Sequence, residues 1–247
     1  MPLPKDDHAQ RYSRQLAVPG WGPDGQRRLS ESHVFIAGAG GLGSAASIYI
    51  AAAGVGKLTI CDTDRVELSN LNRQVLYTQA DIGHEKAPTA AARLRALNPG
   101  VEIVPTTREI TPASACELAR GADVILDCLD NLETRLALNG CSIATGIPMV
   151  YAAVSELTGH ISFLHPPATP CLECFAPHTP PPVEPAIPGF TAGLVGALEA
   201  MEAVKFLTGI GDTLAGRLLI IEGAEPRFDV VTLERDPACP ACGSVRR

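Results

Sequence analysis

The chain has 247 residues, 46% of them hydrophobic and 19% charged, with 27 acidic against 20 basic side chains and a formal net charge of −7. Size scaling puts about 72% of the unfolded surface inside the folded molecule, enough for a large core without a disulfide scaffold. The acid excess and the lack of a Lys or Arg run argue against nucleic acid or an anionic membrane as a partner.

In chain order, the opening MPLPKDDHAQRYSRQ carries acids and prolines where an export signal needs a basic start and an apolar stretch. The longest apolar segment, Ala45 to Val55, is too short to cross a bilayer. A cytoplasmic protein is the expectation, in which paired cysteines more often hold metal or do redox chemistry than form permanent disulfides. Residues 1–32 read as a helical arm. From residue 33 the runs HVFIAG, LGSAASIYIAAAG, KLTICD, EKAPTAAARLRALNPG, VEIVPT, PASACELARGA and DVILDC alternate strand with helix. Such alternation with short connections implies right-handed crossovers, hence a mostly parallel sheet with helices on both faces. The helix from about Glu85 has Pro88 in its first turn and stops at Asn98-Pro99-Gly100.

Beyond Pro148, GHISFLH, GRLLIIEG and RFDVVTLER read as strands, the last two joined too closely for a crossover helix and therefore antiparallel. The helix before them places Leu194, Leu198, Met201, Val204 and Leu207 at helical spacing, which predicts a core-facing stripe with Glu199, Glu202 and Lys205 elsewhere. Pro177 to Gly189 holds six prolines and is read as a crossover lid, the alternative being a disordered excursion. The fold class expected is α/β: a Rossmann-like, mostly parallel sheet continued by antiparallel strands in the C-terminal half. One domain spans 1–247, with a nucleotide-binding half at 33–150. Antiparallel strands, the Pro-rich crossover and a structural zinc site occupy 151–247.

Gly38-Ala39-Gly40-Gly41-Leu42-Gly43 follows a strand and opens a helix, and Asp62 ends the next strand. Glycines here permit a tight turn and close approach of phosphate, the helix N-terminus offers free N–H groups, and Asp62 is placed to accept ribose hydroxyls. The motif alone does not separate dinucleotide redox chemistry from ATP chemistry. Past Asp62 and Asp64, the loop Ser69-Asn70-Leu71-Asn72-Arg73-Gln74 gathers amides and a guanidinium, and Lys86 falls at a helix start. A cation there is unfavourable unless an anion joins it. A triphosphate would be that anion, with Arg73 gripping it and Lys86 neutralising the departing pyrophosphate; two solvated surface cations are the plain alternative. In Asp127-Cys128-Leu129-Asp130-Asn131, Asp130 sits where open α/β sheets bind ligands and suits magnesium beside phosphate, a role compatible with capping the next helix. Asp127 caps or orients locally.

Cys171-Leu172-Glu173-Cys174 and Cys239-Pro240-Ala241-Cys242 are paired CxxC motifs suited to a closed tetrahedral zinc site; two disulfides or a redox pair are the alternatives. Cys61, Cys116, Cys128 and Cys141 lie in apolar patterns and read as core.

Taken together, Arg11-Tyr12-Ser13-Arg14-Gln15, GAGGLG, ICDTD, SNLNRQ, Lys86, DCLDN and both CxxC pairs resemble the ubiquitin-activating-enzyme-like ThiF/MoeB/HesA adenylyltransferases over nearly the whole chain. The resemblance implies a homodimer using ATP and magnesium to activate the C-terminal Gly-Gly carboxylate of a small ubiquitin-like sulfur-carrier protein as an acyl-adenylate, in molybdopterin, thiamine or related biosynthesis. It also implies that Asp62 holds the ribose, that Gly41 and the Asn70 to Arg73 loop line the ATP site, and that Arg73 and Lys86 contact phosphates. Asp130 would position magnesium, and Arg14 would reach into the neighbouring subunit's site. One departure stands out: the stretch from Phe175 to Gly193 has no cysteine, so no covalent carrier intermediate is expected there. No room exists for an appended sulfurtransferase domain, so a separate sulfur donor is expected. The competing functional readings are an NAD-dependent oxidoreductase, a non-catalytic carrier-binding scaffold, and the same adenylation on a ribosomal peptide or natural-product carrier.

Overall fold

The computed structural model describes residues 10–176 and 186–244; most of the proposed Pro-rich lid lies outside them. A short helix α1 (Ser13–Leu16) and α2 (Gly22–Glu31) lead into β1 (His33–Ala37), α3 (Gly41–Ala53) and β2 (Lys57–Cys61). Then come α4 (Lys86–Leu97), β3 (Glu102–Thr106), α5 (Ala115–Leu118), β4 (Val124–Asp127) and α6 (Leu132–Thr145). The C-terminal half comprises β5 (Met149–Ser155), β6 (Thr158–Leu164), α7 (Gly189–Thr208), β7 (Arg217–Glu222) and β8 (Arg227–Thr232).

The strands form one eight-stranded sheet in the order β3-β2-β1-β4-β5-β6-β7-β8. Strands β3 through β5 pair in parallel, and β5–β6, β6–β7 and β7–β8 are antiparallel, as the hydrophobic runs and short C-terminal connection predict. The strand order reverses between β1 and β4, so the connections that leave their carboxyl ends run to opposite sides and open the crevice that such sheets use for ligands. One core layer packs Ile36, Leu58, Ile60 and Leu126 against α3, α4 and α7; the other sets Phe35, Ile125 and Met149 against α5 and α6, with Leu138 of α6 in its centre. No helix among the described residues is long and apolar enough to cross a membrane.

Two helices depart from expectation. The PASACELARGA run yields a single helical turn, because Thr111 and Ser114 bond each other's backbone N–H groups at one end and Gly121 takes a φ of +75° at the other. In α7 the Leu194/Met201 edge of the predicted stripe faces outward, 43% and 47% exposed, while Glu199 and Glu202 are buried and Val204 and Leu207 remain inside. The face that meets α3 is made of small residues: a Cβ on Gly196 would come within 2.4 Å of the Leu42 carbonyl oxygen. Close backbone approach therefore selects Ala192, Gly196, Ala200 and Ala203 for the interface and turns the larger side chains away.

Candidate functional site

The carboxyl ends of β1, β2 and β4 open into a cavity of about 1000 Å³. Its floor is the turn from β1 into α3. Gly43 must be glycine, since a Cβ would lie 1.9 Å from the Gly38 carbonyl oxygen, and Gly41 presses against Ala192 and the Arg73 stem. Gly40 caps α3 with no side-chain partner, leaving the first N–H groups of that helix facing the cavity. The buried Tyr77 hydroxyl donates to the carbonyls of Ala39 (2.9 Å) and Lys86 (3.3 Å), tying this turn to the start of α4.

Asp62 holds the turn from β2: its carboxylate oxygens accept from the N–H groups of Ala39 at 2.7 Å and Asp64 at 2.8 Å. Burial pushes its pKa above the ordinary carboxylate range, and the Ala39 N–H and the Lys86 ammonium oppose that shift. The Lys86 side chain is only 7% exposed and pairs at 2.9 Å with Asp64, whose side chain is 67% exposed. Asn70 caps the short turn Leu68–Asn70 reciprocally with Glu67, while Arg73 donates to the Ser69 carbonyl and the Asn72 amide oxygen. Gln74 is buried in the cavity wall and its Oε1 has no hydrogen-bond partner. This oxygen is an unsatisfied buried acceptor, a costly feature of the wall.

On the opposite wall, Leu129, Asp130 and Asn131 follow β4. The cap, the plain alternative role for Asp130, falls instead to Asn131, the N-cap of α6, which accepts from the Thr134 N–H, and Asp130 stands exposed with no hydrogen bond or ion pair among the described residues. Asp127 does orient locally, accepting from the Leu129 N–H at 3.3 Å and from Arg135 at 3.1 Å. Complete burial raises its pKa against the opposing charge of Arg135.

Among the residues singled out from sequence, Gly38, Gly40, Gly41, Asp62, Asp64, Ser69, Asn70, Arg73, Gln74, Lys86 and Leu129 to Asn131 meet in this cavity. Gly43, Leu71 and Asn72 support the wall from behind, and Arg14 lies outside it. Sequence reasoning missed Arg135, which stacks over Tyr151 at 5.2 Å and donates to the carbonyls of Leu129 and Ala152. Its signal was the spacing: four residues past the N-cap puts Arg135 on the inward face of α6. Arg108, Glu109 and Ile110, from the loop after β3, close the far end.

The four paired cysteines converge elsewhere. Their sulfurs all lie within 4.8 Å of one another, with Cys171 to Cys239 at 3.6 Å and Cys174 to Cys242 at 3.5 Å. All are free thiols, far beyond the ~2.05 Å of a disulfide. Four thiolates about 2.3 Å from a central zinc would sit roughly 3.8 Å apart, so the cluster fits that ion. Buried Asn139 supports it, accepting from the Leu172 N–H at 2.9 Å and donating to Glu173 at 3.3 Å.

This is a Rossmann-like protein with a glycine-turn cavity at the sheet's switch point and a separate four-cysteine cluster. The chain belongs to the ThiF family, whose model matches residues 12–241. It is 41% identical to the "sulfur carrier protein adenylyltransferase" of Thermus thermophilus, over 96% of this chain and 92% of that one. Identity is 40% to the "SAMP-activating enzyme E1" of Haloferax volcanii, over 94% and 88% of the two chains. Against "adenylyltransferase and sulfurtransferase MOCS3" of Sus scrofa it is 42%, over 98% of this chain but 56% of the relative, so the chain spans about half of that longer protein. A crystal structure of Escherichia coli MccB with MccA-N7isoASN shares the fold, with a TM-score of 0.86 at 23% identity over 95% of this chain and 74% of that one. The chain is accordingly an adenylyltransferase of the ubiquitin-activating-like class.

Proposed function

We propose that the protein uses ATP to adenylate the C-terminal glycine carboxylate of a small ubiquitin-like sulfur-carrier protein, releasing pyrophosphate, for sulfur transfer in molybdopterin, thiamine or related biosynthesis. The observation that carries this reading is the cavity at the switch point, where the glycine turn, Asp62, Arg73 and Lys86 surround one space. A relative bearing the sulfur-carrier name matches nearly the full chain, which supports the choice of acceptor. An oxidoreductase leaves Arg73, Lys86 and Asp130 without a task.

In this reading Asp62 binds the ribose hydroxyls, and the glycine turn with the first N–H groups of α3 cradles phosphate. Arg73 and Lys86 balance the charge that builds on the departing pyrophosphate. Asp130, exposed and unpaired, is suited to magnesium, which would neutralise phosphate charge. The carrier carboxylate, with a pKa near 3.5, is already ionised at neutral pH and needs alignment with the α-phosphorus rather than a general base. One carboxylate oxygen bonds to that phosphorus as the bond to the bridging oxygen of pyrophosphate breaks, giving carrier acyl-adenylate and pyrophosphate. No cysteine between Phe175 and Gly193 offers a thioester, so the acyl-adenylate is not passed to an enzyme cysteine of that stretch.

Cys171, Cys174, Cys239 and Cys242 would hold structural zinc, with reduced thiols in keeping with a cytoplasmic enzyme. The whole of 1–247 acts as one adenylation domain. It works as a homodimer: Phe190, Leu194 and Met201 form an exposed apolar face on α7, and Tyr49 is 57% exposed on neighbouring α3. Arg14 then serves the partner's cavity. The test is ATP–pyrophosphate exchange with small Gly-Gly-ending proteins supplied one at a time. Exchange dependent on one of them supports the reading; exchange driven by a short peptide instead would assign a peptide acceptor, and failure to bind ATP would favour a scaffold.

A further inference from the structure

The pentapeptide Arg11-Tyr12-Ser13-Arg14-Gln15 spends its side chains unevenly. Tyr12 is 3% exposed and its ring covers Gly54, where a Cβ would fall 2.4 Å from the ring. Fully buried Asn98 donates through Nδ2 to the Tyr12 hydroxyl at 2.8 Å and to the Ala51 carbonyl at 2.7 Å. Gln15 Nε2 donates to Gln26 Oε1 at 2.5 Å and to the Ala53 carbonyl at 2.7 Å. Gln26, itself buried, donates to the same Ala53 carbonyl and accepts from Trp21 Nε1. Arg11 reaches the Leu97 carbonyl at 3.2 Å. The Ala53 and Leu97 carbonyls, at the ends of α3 and α4, are satisfied in this way. Arg14 alone makes no hydrogen bond or ion pair among the described residues and is exposed.

A free cation thus stands on a closely tied base. The base grips Ala51 to Gly54, at the C-terminal end of α3, whereas the cavity lies at Gly41, the other end. Thirteen helical residues span about 20 Å, so the helix holds Arg14 away from its own cavity. We propose that Tyr12, Gln15, Gln26 and Asn98 form a mount that fixes Arg14 for delivery into the adenylation site of a second copy of this chain. This rests on the reading that Arg14 acts in trans. The four are positioning residues: a backbone fixed in advance at Arg14 leaves only the side chain to be ordered when the partner's phosphates arrive. Their influence is directional, felt in the partner's cavity and not in their own.

Mixed dimers read that direction. A chain carrying Lys86→Ala, with a dead cavity but an intact Arg14, is paired with one carrying Arg14→Ala, whose cavity is intact; one competent site results. Gln15→Ala is then added to one chain or to the other, giving two heterodimers of identical composition and equal folding burden. On the Lys86→Ala chain it should lower carrier-dependent exchange about ten-fold or more, and on the Arg14→Ala chain by less than about two-fold. Tyr12→Phe, which keeps the ring over Gly54 and removes the hydroxyl, should show the same asymmetry. Equal losses on both chains overturn the mount. An inactive parent heterodimer, from active wild-type subunits, overturns action in trans and the mount with it.

Discussion

Glu199 lies outside the apolar stripe that the sequence predicts as the core face of α7, yet it is fully buried, and its Oε2 accepts from the Cys128 thiol at 3.3 Å while Oε1 finds no partner. Burial raises its pKa from 4.5 to about 8, so the folded protein holds the carboxyl neutral through the physiological range. Because the folded value is the higher one, the stability this group contributes is fully present below about pH 4.5 and is lost as pH rises toward about 8. Within that window the native state keeps a proton that the unfolded chain has released, and each pH unit removes roughly 1.4 kcal/mol. Glu199→Gln keeps the shape and removes the titration. Urea unfolding of both proteins at about pH 5.5, 6.5 and 7.5 should show wild type losing roughly 2 to 3 kcal/mol relative to the variant across the series. Comparing the two proteins cancels the titrating groups that do not interact with Glu199. A difference independent of pH would refute the assignment of a neutral buried carboxyl at this position.

Gly43→Ala should cost at least about 2 kcal/mol in urea unfolding and abolish nucleotide binding, since its Cβ would collide with the Gly38 carbonyl. Gly140→Ala, at a helix position with nothing within 4 Å, should instead stabilise by roughly 0.5–1 kcal/mol; equal effects would undo this reasoning. Arg73→Ala, Lys86→Ala and Asp130→Ala should each nearly abolish ATP–pyrophosphate exchange with melting little changed, the exposed Asp64 being rehydrated once Lys86 is gone. Near-normal exchange in any of them would remove that residue from the site. Cys239→Ser should lose zinc by elemental analysis and lower the melting temperature together, because metal affinity at such a site is folding free energy; full zinc content with unchanged melting would contradict a structural role.

The parallel half of the fold was legible because HVFIAG, KLTICD and DVILDC are short β-rich runs separated by helices with clear start and stop signals. The nucleotide wall was legible for a related reason: glycines and carboxylates at strand ends carry local backbone chemistry that does not depend on distant partners. What escaped depended on contacts remote in sequence. The outward turn of Leu194 and Met201 follows from the close approach of α7 to α3 at Gly196, which helical periodicity does not encode. Arg135 joins the wall only because β5 brings Ala152 and Tyr151 to it. Asp130 and Asn131 are neighbours with similar capping propensity, and the geometry after β4 decides that the amide caps. The CxxC pairs, separated by most of the C-terminal half, show their common cluster in three dimensions.

The most direct measurement of the central claim is a single-turnover reaction of the protein with ATP, magnesium and an exchange-active carrier, quenched in acid and read by intact mass spectrometry. The account predicts a carrier heavier by one AMP moiety, fragmenting to place it on the C-terminal glycine, with pyrophosphate formed in equal amount and no adduct on the enzyme. ADP and phosphate as products, or AMP on any other group of the carrier, would contradict it.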